Sequence, residues 1–189
     1  MNNEKTIKLT NPVNFNDQVY EEIRVREPTI NEYMLSLKSK GNKESFEADA
    51  MVQIELLSRV TGLPVNAIES FPSSVMDEAT NFIASFQEDH ENIDSNEIII
   101  DPPISIANGN EYDRLTLLEP TVGQRKKATR MLDKYGNTPL GAMEFQLSLL
   151  KDISDWPLAA LLKLPISTFL QASRYLSGFF TDGQKTGKN

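Results

Sequence analysis

The side chains of this chain that could do chemistry are few and scattered. His90 is the only histidine, and it stands in the run Glu88-Asp89-His90-Glu91-Asn92-Ile93-Asp94. Neighbouring carboxylates there favour its charged form, which does not suit a general base. Glu88, Asp89, Glu91 and Asp94 could offer only oxygen to a hard cation. They lack the alternating Asp/Asn pattern, the central glycine and the closing glutamate of a calcium loop. Without cysteine there is no thiol nucleophile, no disulfide and no zinc–thiolate site. Thr29 and Thr121 recur at matching places in the two halves, yet no histidine recurs beside either to activate a hydroxyl. Neither Gly-x-Gly-x-x-Gly nor Gly-x-x-x-x-Gly-Lys-Ser/Thr occurs, so nothing asks for a dinucleotide or a triphosphate. The expectation is a protein that is not an enzyme and that holds no cofactor and no metal.

One polar cluster remains. Arg125, Lys126, Lys127 and Arg130 crowd four cations onto one short stretch, where the first half of the chain has Tyr33 and Met34. Such a stretch is either a solvated helix face or a docking face for an acidic partner, including the acidic first half of another copy, since complementary charge steers association. The charge is unevenly placed along the chain. Residues 1–92 hold eight Lys or Arg against sixteen Asp or Glu, a net of −8, whereas residues 93–189 hold eleven of each. A net charge of −8 for the whole chain argues against a binder of nucleic-acid backbones, which shows a basic patch or stripe.

The elements that must position these residues are written twice. Ile7-Lys8-Leu9, Pro12, Tyr20 and Glu27-Pro28-Thr29 return as Ile98-Ile99-Ile100, Pro103, Tyr112 and Glu119-Pro120-Thr121. Farther on, Leu56-Leu57, Pro64, Phe71-Pro72 and Phe86 return as Leu149-Leu150, Pro157, Leu164-Pro165 and Phe179. Turn residues and apolar positions persist while polar positions diverge, as two copies of one fold require. The period is too long for a solenoid or a propeller blade.

Each unit opens with alternating apolar residues around a turn, Asn16-Asp17 in the first and Asn108-Gly109-Asn110 in the second, which predicts a β-hairpin. Glu-Pro-Thr then stops the strand and caps a helix. Thr29-x-x-Glu32 and Thr121-x-x-Gln124 both fit the capping box. The first helices are expected to carry Ile30, Met34 and Leu37 inward, matched by Val122, Met131, Leu132 and Tyr135, and to stop at Gly41-Asn42 and Gly136-Asn137. A second helix is expected over 45–60, with Phe46, Ala50, Ile54 and Leu57 on its inner face, and its match over 140–153. Pro64 and Pro157 break the chain, and third long helices follow Pro72 and Pro165. Trp156 answers to Leu63 of the first unit, which marks it as core rather than as part of a ligand box.

The fold class expected is α+β, mainly helical, with two homologous units that each comprise a β-hairpin followed by about three helices. The first unit spans 1–88, an acidic linker 89–97, the second unit 98–180, and a small, polar, mobile tail 181–189. Whether the two hairpins join in one sheet stays open, because an isolated hairpin is marginal in water. No apolar run reaches the roughly 20 residues of a membrane span. The start Met1-Asn2-Asn3-Glu4-Lys5 has neither the basic flank nor the apolar stretch of a signal peptide, so a soluble cytoplasmic protein without a membrane partner is expected.

The order of events in the first unit resembles the tail assembly chaperones of Mu-like and P2-like phages. The residues that carry the resemblance are Ile7-Lys8-Leu9, Pro12-Val13, Tyr20, Arg26-Glu27-Pro28-Thr29 and Leu56-Leu57-Ser58-Arg59-Val60-Thr61-Gly62-Leu63-Pro64. The second unit keeps Leu118-Glu119-Pro120-Thr121 but has Ile153-Ser154-Asp155-Trp156-Pro157 in place of the Thr-Gly-Leu-Pro element. The resemblance implies a protein of the bacterial host cytoplasm that binds and solubilises the tape measure protein and helps recruit tail tube subunits. The alternative is a structural or adaptor protein that stays in the tail, the baseplate or a related injection machine. This chain carries two units where a typical member looks like one, so it either does within one chain what others do by pairing, with self-association, or gives its two copies separate partners.

Overall fold

The computed structural model describes residues 3–181 apart from 42, 44, 89–94 and 108. Chain contacts divide it into two units, Met1–Glu88 and Asp89–Asn189. His90 and the carboxylates Asp89, Glu91 and Asp94 lie outside the described residues, as do most of the expected linker and the expected tail beyond 181.

The first unit begins with strands β1 (Glu4–Phe15) and β2 (Gln18–Arg26), paired antiparallel. Asn16 and Asp17 join them, both at positive φ (47° and 61°). Two consecutive left-handed residues give the tight turn whose twist matches that of the flanking strands, and Asn and Asp tolerate that conformation best among non-glycine residues. Helices α1 (Ile30–Ser39), α2 (Phe46–Thr61), α3 (Val65–Ile68) and α4 (Ser73–Ser85) follow. The second unit repeats the order as β3 (Glu97–Ser105), β4 (Glu111–Thr116), α5 (Val122–Tyr135), α6 (Pro139–Ile153), α7 (Leu158–Leu161) and α8 (Ile166–Thr181). Each hairpin is a two-stranded sheet within its own unit, β1 with β2 and β3 with β4.

Both hairpins break register at the same place. In β1 the pairing jumps from Lys8↔Glu22 to Val13↔Tyr20, and in β3 from Ile99↔Arg114 to Ile104↔Tyr112. Four residues on the first strand therefore face one on the second in each copy. Such a bulge bends and twists a strand. At its start, strand alternation keeps Leu9 on the face of Ile7, packed against the core that the hairpin shares with its helices, and Ile100 buried on the face of Ile98. A two-stranded ribbon needs that backing. In the first unit Ile7, Ile23 and Val25 pack with Leu56, Leu57 and Val60 of α2, Ile68 of α3, and Val75, Ala79 and Ile83 of α4. In the second, Ile98, Ile100, Leu115 and Leu117 are buried, as are Leu149 and Leu150 of α6, Leu161 of α7, and Ile166, Phe169 and Leu176 of α8.

Two expected inner faces need correction. Phe46 and Ala50 share a stripe with Leu57, but Phe46 is 96% exposed and Ala50 is exposed as well. The stripe is continuous whereas its cover is not: eleven residues place Phe46 about 16 Å along the axis from Leu57, beyond the end that packs on the hairpin. Val122 is 86% exposed instead of turned inward. It lies about 120° around α5 from Ala128, the helix's buried residue.

Candidate partner-binding face

The site is built on the helix that opens each unit. Thr29 caps α1 and Thr121 caps α5 from extended backbone, each hydroxyl accepting the amide of the third helical residue at 3.3 and 3.2 Å. The return half of each capping box is present as well: the Glu32 carboxylate accepts the Thr29 amide at 3.0 Å, and Gln124 Oε1 accepts the Thr121 amide at 2.8 Å. These bonds satisfy backbone donors that a helix start otherwise leaves open.

Behind the caps the copies diverge in chemistry while they keep one connection. In the first unit Arg26 donates to both carboxylate oxygens of Glu32 and, at 3.3 Å, to the Arg59 carbonyl near the end of α2. In the second, the Gln124 side-chain amide itself donates to the Asp152 carbonyl at 2.7 Å. Arg59 and Asp152 occupy the same place in the repeat. One neutral residue thus makes the link that needs a charged pair in the first unit, and Leu118, which stands where Arg26 does, is left 58% exposed. Burial pushes the Glu32 carboxyl up, but its bonds to Arg26 and to Thr29 outweigh that effect and hold it below the usual carboxylate range. The bond to Glu32 raises the Arg26 guanidinium in return.

All four cations of the cluster lie on α5 and are exposed, but they do not act as a set. The Arg125 guanidinium stacks over the Phe180 ring of α8 at 4.3 Å, and Phe180 in turn tilts against Phe145 of α6 at 6.4 Å. Arg125 is committed to packing within its unit. Lys127 pairs with both oxygens of the Asp152 carboxylate at 2.8 Å, tying α5 to α6. Lys126 and Arg130 make no side-chain hydrogen bond or ion pair among the described residues. With Val122 they form one outward stripe at intervals of four residues. No carboxylate interrupts α5 before Asp133. In α1 the corresponding residues are Ile30 and Met34, both buried, and Lys38, which is exposed. The second unit therefore presents a basic stripe with an apolar start where the first has buried apolar side chains.

Spacing alone did not divide the four cations, because Phe180 and Asp152 reach α5 from 55 and 25 residues away along the chain. The exposed Phe46 was missed for the same kind of reason: periodicity gives a face and not the depth of what covers it. Trp156 takes the core role its position suggested. Its ring lies 5.0 Å from Tyr112, and its indole N–H donates to the Arg114 carbonyl of β4 at 3.0 Å. Among the described residues no group of histidine, cysteine, aspartate and glutamate could hold a metal ion, and no helix is long and apolar enough to cross a membrane.

The family model described as phage tail assembly chaperone proteins, E, or 41 or 14, matches residues 6–88 and again 97–181. The chain belongs to that family. Two matches, one on each structural unit, make this tail assembly chaperone a tandem duplication of the family's domain. No curated protein and no solved structure matches it. The resemblance read from the first unit thus holds for both, although Asp155-Trp156 in the second stands where the first has Gly62-Leu63.

Proposed function

We propose that this chaperone is a non-enzymatic binding protein of the bacterial host cytoplasm, which covers the tape measure protein until tail tube subunits are recruited around it. The observation that carries the reading is the family match over both units. The physical problem fits: a long helical protein with exposed apolar stripes aggregates unless something covers it. Amphipathic helices, of which each unit has three long ones, can supply a covering face. A cover that must later leave works best through many modest contacts rather than one very tight site.

Co-expression with a tape measure protein from the same genome, followed by pull-down and a solubility assay, tests this. Tape measure protein that is soluble and co-purifies only when the chain is present is the expected result. Absence of binding, together with this chain found in purified tails, would instead make it a resident structural or adaptor protein.

A further inference from the structure

We propose that the outward stripe of α5 is a self-association face, and that its occupant is the acidic start of α2 in a second copy of this chain. The two surfaces are complementary in chemistry. On α5, Val122 and the nearby Leu118 are exposed apolar side chains, flanked by Lys126 and Arg130, which have no ion pair among the described residues. On α2, Phe46 and Ala50 are exposed apolar side chains beside Glu47, a carboxylate without an ion pair among the described residues. Asp49 at the same end is paired with Lys40 at 2.6 Å, so among the described residues Glu47 is the carboxylate there without an ion pair to answer a cation.

Phe46 is the most exposed large apolar residue of the described chain. An aromatic knob rimmed by charge is the kind of anchor that dominates interfaces, and its ring face also attracts a guanidinium or an ammonium. Charge at longer range selects the same occupant. Residues 1–92 hold the whole net charge of −8 while residues 93–189 are neutral, so a basic stripe on a second unit is drawn to the first unit of another chain rather than to its second.

The knob and the stripe are different surfaces of one chain, which makes the contact heterologous. A heterologous contact grows head to tail and closes only if the rotation between copies allows it. The interface is small and partly ionic, so it is weak and salt-sensitive. This inference does not depend on the tape measure reading, because it concerns the chaperone alone.

Sedimentation velocity of the full chain, with no tail protein present, tests it over a range of protein concentrations and from about 0.05 M to about 0.5 M salt. Concentration-dependent association at low salt that fades at high salt is expected. Lys126→Glu/Arg130→Glu breaks the stripe and Phe46→Ser/Glu47→Lys breaks the knob. Each variant is expected to sediment as a monomer, with association weakened at least tenfold. Mixed together they are expected to form a dimer that grows no further, since each supplies the one intact surface the other lacks. All four positions are exposed, and circular dichroism checks that the variants fold. Phe46→Ser and Val122→Ser, which leave every charge in place, weaken association on their own. A chain that stays monomeric throughout, or variants that still associate or fail to complement each other, would overturn the proposal. A monomeric chain whose stripe variant loses tape measure protein would give the stripe to that partner instead.

Discussion

Glu32 and Gln124 hold the same place in the two copies and both complete a capping box, but only Glu32 carries a charge. The Glu32 carboxyl titrates below the value of 4.5 that an unperturbed glutamate shows. A group whose pKa is lowered by folding contributes stability that is full above the unfolded value and is lost as pH falls through the folded one. The first unit should therefore lose stability from its Arg26–Glu32 pair below about pH 4.5, whereas the Gln124 link of the second does not titrate. Glu32→Gln is expected to keep the cap, to remove this acid-sensitive part, and to cost on the order of 1 kcal/mol at neutral pH through the lost charged bonds to Arg26. Urea unfolding at pH 7 and pH 3.5 checks this: the difference between wild type and variant should shrink at the lower pH. Thr29→Ala and Thr121→Ala should each cost about 1 kcal/mol, as loss of an N-cap does.

Hairpins are the elements with least support of their own, so the side chains that fasten them to helices matter most. In the second unit Trp156 does this with the bond to the Arg114 carbonyl and the contact with Tyr112, and Lys163 adds a bond to the Ser105 carbonyl at 2.7 Å. Trp156→Leu, which copies Leu63 of the first unit, is expected to cost about 2 kcal/mol, the sum of lost ring packing and one backbone acceptor left without its donor. Hydrogen exchange should show β3 and β4 losing protection more than α6. The hairpins themselves were legible in the sequence because alternation and a two-residue Asn-Asp turn are local signals. So were both caps, in Thr-x-x-Glu and Thr-x-x-Gln, and the prolines that divide α2 from α3 and α6 from α7. The shared bulge was not, since register depends on the partner strand. Nor was the split of the α5 cations into two committed and two free, which is decided by Phe180 and Asp152 from other helices.

At the scale of the whole molecule, duplication gives each unit its own core, with matched positions that have kept their type. Leu57 and Leu150 are such a pair, both buried. Leu57→Ala and Leu150→Ala should each cost about 2–5 kcal/mol, the range for removing a buried leucine side chain, and denaturant unfolding of the two variants compares the load each copy bears. What the copies no longer share is charge: eight net negative charges fall in residues 1–92 and none in residues 93–189. Nor do they share tryptophan. Trp156 is the only tryptophan in the chain and it is buried in the second unit's hairpin clasp. Its fluorescence is thus a lamp set in one of two rooms: under light that excites tryptophan and not tyrosine, a change in emission reports an event in the second copy.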